Sequence, residues 1–321
     1  MNRRDKIFVA GRRGLVGSAI VRRLLSAGFD NLVTPSRSDL DLTDQRAVQD
    51  FFARIRAKYV VLAAARVGGI LANATCPAEF IRENLLIETN VIHEAYIHGV
   101  EHLLFLGSSC IYPRDCPQPI REEYFMTGPL ERTNSAYAVA KIAGVEMCHA
   151  YNRQYGTRYI CAMPTNLYGP GDNFDAQTSH VLPAMIRKFH QAKLYKGPVV
   201  LWGTGAAKRE FLHVDDLADA CVHIMTMPED RVGDVLKEDS PPLINIGCGQ
   251  DLSIRELAQV VGDIIGFKGQ VQWDHSKPDG TPRKLLDIAK LRRLGWEPKT
   301  PLQDGIRAVY EWFQEREAIR Q

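Results

Sequence analysis

Lys6-Ile-Phe-Val-Ala-Gly-Arg-Arg-Gly-Leu-Val-Gly17 is the stretch on which the fold turns. A short apolar run, Lys6 to Ala10, feeds straight into Gly11, Gly14 and Gly17, and a helical pattern spans Gly14 to Ala27. Each glycine answers a physical need. Gly11 permits the tight strand-to-helix turn, Gly14 lets a pyrophosphate reach backbone N–H groups at the positive helix end, and Gly17 lets helix pack on strand. A glycine triplet alone is a weak signal; the strand before it and the helix after it make this one a dinucleotide loop. Working outward, Asn31 to Thr34 reads as a strand, Asp44 to Ala57 as a helix and Tyr59 to Ala64 as a strand. A helix near Ala78 to His98, a strand Leu103 to Leu106, a helix Ser135 to Tyr155 and a strand Tyr159 to Met163 follow. This rhythm predicts an α/β fold built on a Rossmann-type, doubly wound parallel sheet. Past Pro164 it breaks. Pro and Gly punctuate Pro164 to Gly171 and Gly197 to Gly205, which predicts a smaller C-terminal α/β lobe. The expected division is 1–165 for the dinucleotide domain, with 210–245 returning to it, and 166–209 plus 246–321 for a substrate-binding lobe.

The chain has 321 residues, 45% apolar and 24% charged, which places it among globular proteins and far from disordered ones. Forty Lys and Arg meet 38 Asp and Glu, a net of +2, so no global field argues for nucleic acid or an anionic membrane. Any anion site must be local. No apolar run approaches the ~20 residues that span a bilayer, and Met1 to Lys6 does not read as a secretory signal. Seven scattered cysteines without a close CxxC pair fit reduced thiols and a cytoplasmic setting better than disulfides or structural zinc; no metal site is expected.

An acidic residue about 20 positions beyond the loop normally accepts the adenosine ribose 2′-OH of NAD. That count from Gly17 lands on Arg37. A guanidinium there, with Arg13 in the loop itself, suits a 2′-phosphate through charge-assisted hydrogen bonds. NADP(H) is therefore the expected cofactor.

Tyr137 and Lys141 stand four residues apart, on one face of the helix Ser135 to Tyr155. A tyrosine with an ordinary pKa near ~10 must exchange a proton near neutrality, and an ammonium one turn away favours its phenolate. Upstream, the strand Leu103 to Leu106 runs into Gly107-Ser108-Ser109-Cys110, where a serine at the strand end can hold a substrate carbonyl.

The glycine loop, Ser108, Tyr137 and Lys141, in this order and spacing, resemble the extended short-chain dehydrogenase/reductase superfamily, whose members bind NAD(P) and mostly act on nucleotide sugars. Pro164 to Pro170, Arg209 to Asp216 and Leu294 to Pro298 look like its later landmarks. Ala64 to Ile70, Gly107 to Pro113, Asn173 to Pro183 and Ser276 to Arg283 narrow the likeness to its 3,5-epimerase/4-reductases of GDP-4-keto-6-deoxy-D-mannose. That resemblance implies NADPH, a homodimer and a GDP-sugar substrate. It implies Cys110 as a base and His180 as an acid, and Leu106, Pro164, Asn166, Leu167 and His180 beside the cofactor with Lys141. It also implies Lys188, Trp202, Arg209 and Asp279 against the substrate. Lys188 stands where the family usually has arginine, which keeps the charge and loses the bidentate fork; the adjacent Arg187 is a candidate to compensate. The long helices around Ala78 to His98 and Ser135 to Tyr155 are the expected dimer contact.

The chemistry gives these residues a reason. Protons at C3 and C5 of a 4-keto sugar are acidified by the carbonyl, and reduction of C4 ends that activation, so epimerisation must come first. Each inversion removes a proton from one face and returns one to the other, which calls for two acid–base groups flanking the ring. If the segment is extended, Ser108 and Cys110 point to the same side. Related 4,6-dehydratases carry an Asp-Glu pair where this chain has Ser109 and Cys110, so water elimination is not expected. Two alternatives differ in their residues: an NAD-dependent 4-epimerase needs no Cys and His pair and usually keeps an acid at position 37, and a sensor that has lost turnover typically loses Tyr or Lys.

Overall fold

The computed structural model describes residues 1–175, 178–277 and 279–320; Ala176, Gln177 and Pro278, which fall in the segments that carry the resemblance, lie outside the described residues, as does Gln321. From the N-terminus the chain runs β1 (Ile7–Ala10), α1 (Leu15–Ser26), β2 (Leu32–Val33), α2 (Gln45–Ile55), β3 (Tyr59–Leu62), α3 (Ile70–Thr75), α4 (Pro77–Ile97), β4 (His102–Leu106), α5 (Ser135–Tyr155), β5 (Arg158–Pro164) and β6 (Asn166–Tyr168). It continues with α6 (Val181–Tyr195), β7 (Val199–Trp202), β8 (Lys208–His213), α7 (Val214–Thr226), α8 (Glu229–Val235), β9 (Leu243–Ile246), β10 (Asp251–Ser253), α9 (Ile254–Ile265), β11 (Val271–Asp274), β12 (Arg283–Lys284), α10 (Ala289–Arg293) and α11 (Leu302–Arg320). Each strand and helix expected up to Met163 is present. The sequence reading has no counterpart for α3, whose six residues are too few to show a period.

The main sheet has the order β2-β1-β3-β4-β5-β9, all parallel. Its inner strands are apolar throughout because helices cover both faces. Alternation along β1 sends Ile7 and Val9 into a core shared with Ile20 of α1 and Leu217 of α7. Phe8 and Ala10 go to the other face, with Phe52 of α2, Val91 of α4 and Val145 of α5. β2 and β3 lie on opposite sides of β1, so the strand order reverses between β1 and β3, and a crevice opens at their C-terminal ends.

A third core joins α6, α9 and α11 through Phe189, Leu257, Val261, Ile306 and Tyr310. α9 begins with a full capping box, Ser253 and Glu256 each binding the other's backbone N–H. Beside this core, β8 pairs with β6, β10 and β12, and β7 pairs with β11. Leu291, Leu294 and Trp296, late in the chain, pack back under the main sheet. Among the described residues no helix is long and apolar enough to cross a membrane.

Glu210 ties these parts together. Fully buried on β8, its carboxylate accepts the Gly249 N–H just after β9 (2.7 Å) and the Leu286 N–H just after β12 (3.0 Å). Gly247 supplies the space, since a Cβ there would come within 2.3 Å of Glu210 Oε1. Burial raises the pKa of this carboxyl, and the backbone hydrogen bonds oppose the rise. Glu210→Ala strands both N–H groups and is expected to cost about 3 kcal/mol, with Glu210→Gln costing less; denaturant unfolding of the two variants measures the difference.

Candidate active site

The crevice begins at the glycine loop. Gly11 has φ +96°, and a Cβ on it would meet the Ala64 backbone nitrogen at 2.9 Å. A Cβ on Gly17 would lie 2.1 Å from the Gly11 carbonyl oxygen; α1 therefore seats directly on its own entry turn. Gly14 opens α1 with no side-chain cap, and the first turn carries no acid, so the N–H groups there keep their positive end. Arg13 and Arg37 are both exposed. The Arg37 guanidinium, 77% exposed, lies 3.8 Å from Glu83. The nearby acid, Asp39, is turned onto Ser36, accepting both its hydroxyl and its N–H (2.6 and 2.8 Å). These bonds, with help from Arg12 and Arg13, hold its carboxyl below the usual range.

Beyond β4 the chain does not stay extended, which corrects the geometric argument for Ser108 and Cys110. Ser108 is extended and caps a single 3₁₀ turn, Ser109–Ile111, by accepting the Cys110 N–H on its hydroxyl (3.2 Å). A serine this close to a free N–H competes with continued strand. The same hydroxyl hydrogen-bonds the Tyr137 phenol of α5. Around the Cys110 sulfur stand two donors that sequence reasoning missed, Asn134 Nδ2 at 3.1 Å and Lys284 Nζ at 3.6 Å. Asn134 lies one turn before Tyr137, and Lys284 directly follows the quoted Ser276 to Arg283, but neither position in the chain signals a contact with the thiol.

Lys141 corrects a second expectation. Its ammonium, 1% exposed, donates to the Leu106 carbonyl (3.0 Å) and pairs with Glu88 of α4 at 3.1 Å. Glu88 is 2% exposed, and burial raises its pKa to about 7 against the pull of Lys141. The Tyr137 pKa is raised, not lowered: burial leads, Cys110 and Glu88 add to it, and the Ser108 hydrogen bond opposes. The signal for Glu88 was an acid in the buried helical row Asn84, Ile87, Glu88, Val91, Ala95.

Asn84, one turn earlier in that row and fully buried, pins the loop after β3. It accepts the Arg66 N–H (2.9 Å) and donates to the Arg66 and Phe80 carbonyls. Gly69 of that loop donates to the Thr178 carbonyl (3.3 Å), which ties it to the segment leading to His180, the residue that opens α6. The His180 side chain is exposed, and partial desolvation lowers its pKa. Among the described residues no hydrogen bond joins it to Cys110, Ser108 or Tyr137. Pro164 ends β5, and Asn166 and Leu167 open β6, where Asn166 donates to the Glu210 carbonyl (2.9 Å) and Leu167 packs against the main core.

The remaining candidates gather on the second lobe. Lys188 of α6 donates to the Val200 carbonyl (2.8 Å), and its ammonium stands 5.8 Å from the Trp202 ring, with that of Lys277 at 5.7 Å. Trp202 is 48% exposed at the end of β7. Asp279 accepts the Thr204 N–H and hydroxyl, both at 2.8 Å, and its carbonyl accepts from Arg209 (3.3 Å). Arg209 also acts electrostatically on Cys110, so it borders both clusters. Arg187 commits an N–H to the Phe174 carbonyl (2.9 Å), which leaves Lys188 alone in the place of the usual arginine.

The pinned loop gives a direct test. Asn84→Ala removes three hydrogen bonds from a fully buried amide and is expected to cost about 2–3 kcal/mol, with faster hydrogen exchange at the Arg66 N–H; unchanged exchange would refute the role.

Comparison with known proteins agrees with this arrangement. The model of the NAD dependent epimerase/dehydratase family matches residues 7–247. A putative GDP-L-fucose synthase 2 of Arabidopsis thaliana is 57% identical over 97% of this chain and 92% of its own. The GDP-L-fucose synthase of Escherichia coli is 52% identical over 98% of both. Among solved structures, the GDP-mannoheptose C4 reductase of Campylobacter jejuni with NADP bound is 41% identical, covers 98% of this chain and 99% of its own, and superposes with a TM-score of 0.89. With the glycine loop, the Ser-Tyr-Lys cluster and full-length identity in agreement, the chain belongs to the NAD-dependent epimerase/dehydratase family and, within it, to the group of the GDP-L-fucose synthases.

Proposed function

We propose that the protein epimerises GDP-4-keto-6-deoxy-D-mannose at C3 and C5 and then reduces C4 with NADPH to give GDP-L-fucose. The observation that carries the reading is the junction of Cys110 with Ser108 and Tyr137. A thiol held by Asn134 and Lys284 sits one turn from the hydroxyl that bonds the phenol. A simple 4-epimerase or reductase has no use for that thiol.

The cofactor site fits NADPH. The uncapped start of α1 and the close approach allowed by Gly11, Gly14 and Gly17 suit a pyrophosphate. Arg13 and Arg37 suit a 2′-phosphate, with Asp39 turned onto Ser36 and Glu83 3.8 Å from the Arg37 guanidinium, and the Campylobacter relative is a structure with NADP bound. Leu106, Pro164, Asn166 and Leu167 line the ends of β4, β5 and β6 where the nicotinamide half would lie. NADPH supplies the hydride for C4.

At C3 and again at C5, Cys110 withdraws a proton and His180 returns one from the other face, the thiol releasing its proton to water and the imidazole taking one up between the two inversions. The negative charge that develops on O4 meets the Ser108 and Tyr137 hydroxyls, donors placed before the reaction begins. After both inversions Tyr137 gives its proton to O4. The substrate pyrophosphate binds Arg209 and Lys188, beside Trp202 and Asp279. Lys188 holds it as a point charge with no second N–H to fix its orientation.

Incubation with GDP-4-keto-6-deoxy-D-mannose and NADPH is expected to consume NADPH and yield GDP-L-fucose. Cys110→Ser should lose inversion at C3 and C5 while some direct 4-reduction remains; a folded, cofactor-binding protein that leaves NADPH untouched refutes the substrate. Arg37→Ala should weaken NADPH relative to NADH by about 10-fold or more, the value of one charge-assisted hydrogen bond. The pH profile carries a sign as well. An acid works while protonated and a thiol base while ionised, and the His180 pKa lies below its ordinary value, so epimerisation should follow a bell-shaped pH profile whose high-pH limb reports loss of the His180 proton. His180→Gln should flatten that limb.

The active form is a homodimer built on α4 and α5. These helices pack on each other, and Tyr96 of α4 stacks on Tyr155 of α5 with Tyr151 edge-on to both, beside exposed Ile97. Sedimentation as a monomer at micromolar concentration would overturn this. The setting is the cytoplasm, in keeping with seven free thiols.

A further inference from the structure

Lys141 stands one turn from the reacting phenol, and the carboxylate beside it has no part in the reaction above. We propose that Glu88 is the charge-balancing partner of Lys141 and a positioning residue for the reduction step, keeping Tyr137 a neutral phenol that can donate its proton. The inference rests on the reading above for the direction of that proton transfer, and its central measurement does not.

The geometry leaves few alternatives. Lys141 Nζ is enclosed by the Leu106 carbonyl, the Phe105 ring at 4.6 Å and Glu88 Oε1 at 3.1 Å, and it lies 6.0 Å from the centroid of the Tyr137 ring. Glu88 reaches it from the neighbouring helix through space that Gly144 of α5 provides, since a Cβ there would lie 2.9 Å from Glu88 Oε2. Neither carboxylate oxygen has another hydrogen-bond partner among the described residues. A buried carboxylate without its own donors is costly, so its position is explained by the cation it faces.

An uncompensated cation at this range lowers the pKa of an acid by about 1–3 units. Alone, Lys141 would draw Tyr137 toward phenolate, the form that accepts a proton. A reductase must begin each turnover with the proton in place. Above about pH 7, where Glu88 is ionised, Lys141 and Glu88 present a dipole in place of a net charge, and the carboxylate acts on the phenol with the opposite sign. The other groups facing Tyr137 are the Ser108 hydroxyl and the Cys110 thiol. Facing Glu88 from α5 and β5 are Lys141 and the thiol Cys161, and burial keeps Cys161 protonated. No second cation is in this set to take over from Lys141.

Ultraviolet titration of phenolate, with Tyr137→Phe subtracted, reads the Tyr137 proton without turnover. In the unaltered protein, with and without NADP⁺, no Tyr137 phenolate is expected between about pH 7 and 9, where Glu88 is ionised and below the ordinary phenol value near 10. Glu88→Gln should move the Tyr137 titration down by about 1–3 units and carry the high-pH limb of 4-reduction with it. Glu88→Asp, which keeps the charge, should restore the profile to within about half a unit of the original. Tyr137 ionising inside that window in the unaltered protein overturns the proposal, and that result stands even if Glu88→Gln fails to fold. Equal loss of reduction at every pH in a folded Glu88→Gln, with the titration unmoved, overturns it too and leaves Glu88 a packing role. Failure of the substrate assay alone leaves the titration result intact and refutes only the assigned reaction.

Discussion

Parallel pairing is the constraint from which the rest follows. Because β1, β3, β4 and β5 run the same way, their C-terminal ends share one edge, and whatever follows each strand is delivered to a single crevice. Gly11 follows β1, Ala63 and Ala64 follow β3, Ser108 follows β4 and Pro164 closes β5. The close approach of Gly11 to Ala64 and of Gly17 to Gly11 shows how little room that convergence leaves. A side chain at either glycine would push α1 off the sheet, and with it the anion-binding end of the helix.

The same constraint explains what could be read in advance. Strands buried on both faces write continuous apolar runs, and helices that cover them write a period, so the sheet from β1 to β5 was legible almost residue by residue. The site was legible where a residue type is tied to the local backbone. The three glycines, Ser108 at a strand end, and Tyr137 with Lys141 one turn later are of this kind. Groups brought together by tertiary packing were not. Asn134, Lys284 and Glu88 reach Cys110 or Lys141 from three different elements, and no spacing in the chain encodes those meetings. The capped turn at Ser109 was missed for a related reason. A serine hydroxyl that competes for backbone N–H groups leaves an apolar pattern unchanged while altering where the side chains after it point.

The Tyr137 pKa, raised chiefly by burial where the Lys141 spacing alone points down, is a lesson of the same kind. Spacing along a helix fixes which side chains are neighbours, but the electrostatic effect of a neighbour depends on what else it touches. Lys141 is a turn away from the phenol and in contact with a carboxylate, and in a site shielded from water the contact governs.

The charges of the site are thus sorted by depth. The innermost cation is matched by an anion, and the groups that meet the reacting oxygen are the hydroxyls of Ser108 and Tyr137. Lys284 stands at the thiol and Arg209 within electrostatic reach of it, while the unmatched cations Lys188 and Lys277 stand farther out beside Trp202. This ordering suits a substrate whose fixed charge is at one end and whose transient charge is at the other. A pyrophosphate carries its charge throughout the reaction, and permanent cations at the rim can hold it with little reorganisation. The oxygen at C4 is neutral before and after turnover and charged only between; a permanent cation beside it would trap the charged state, whereas a hydroxyl that can yield its proton stabilises that charge and then discharges it. Matching Lys141 with Glu88 keeps the inner end of the site free of such a trap, and placing the unmatched cations on the second lobe keeps the outer end able to hold its anion.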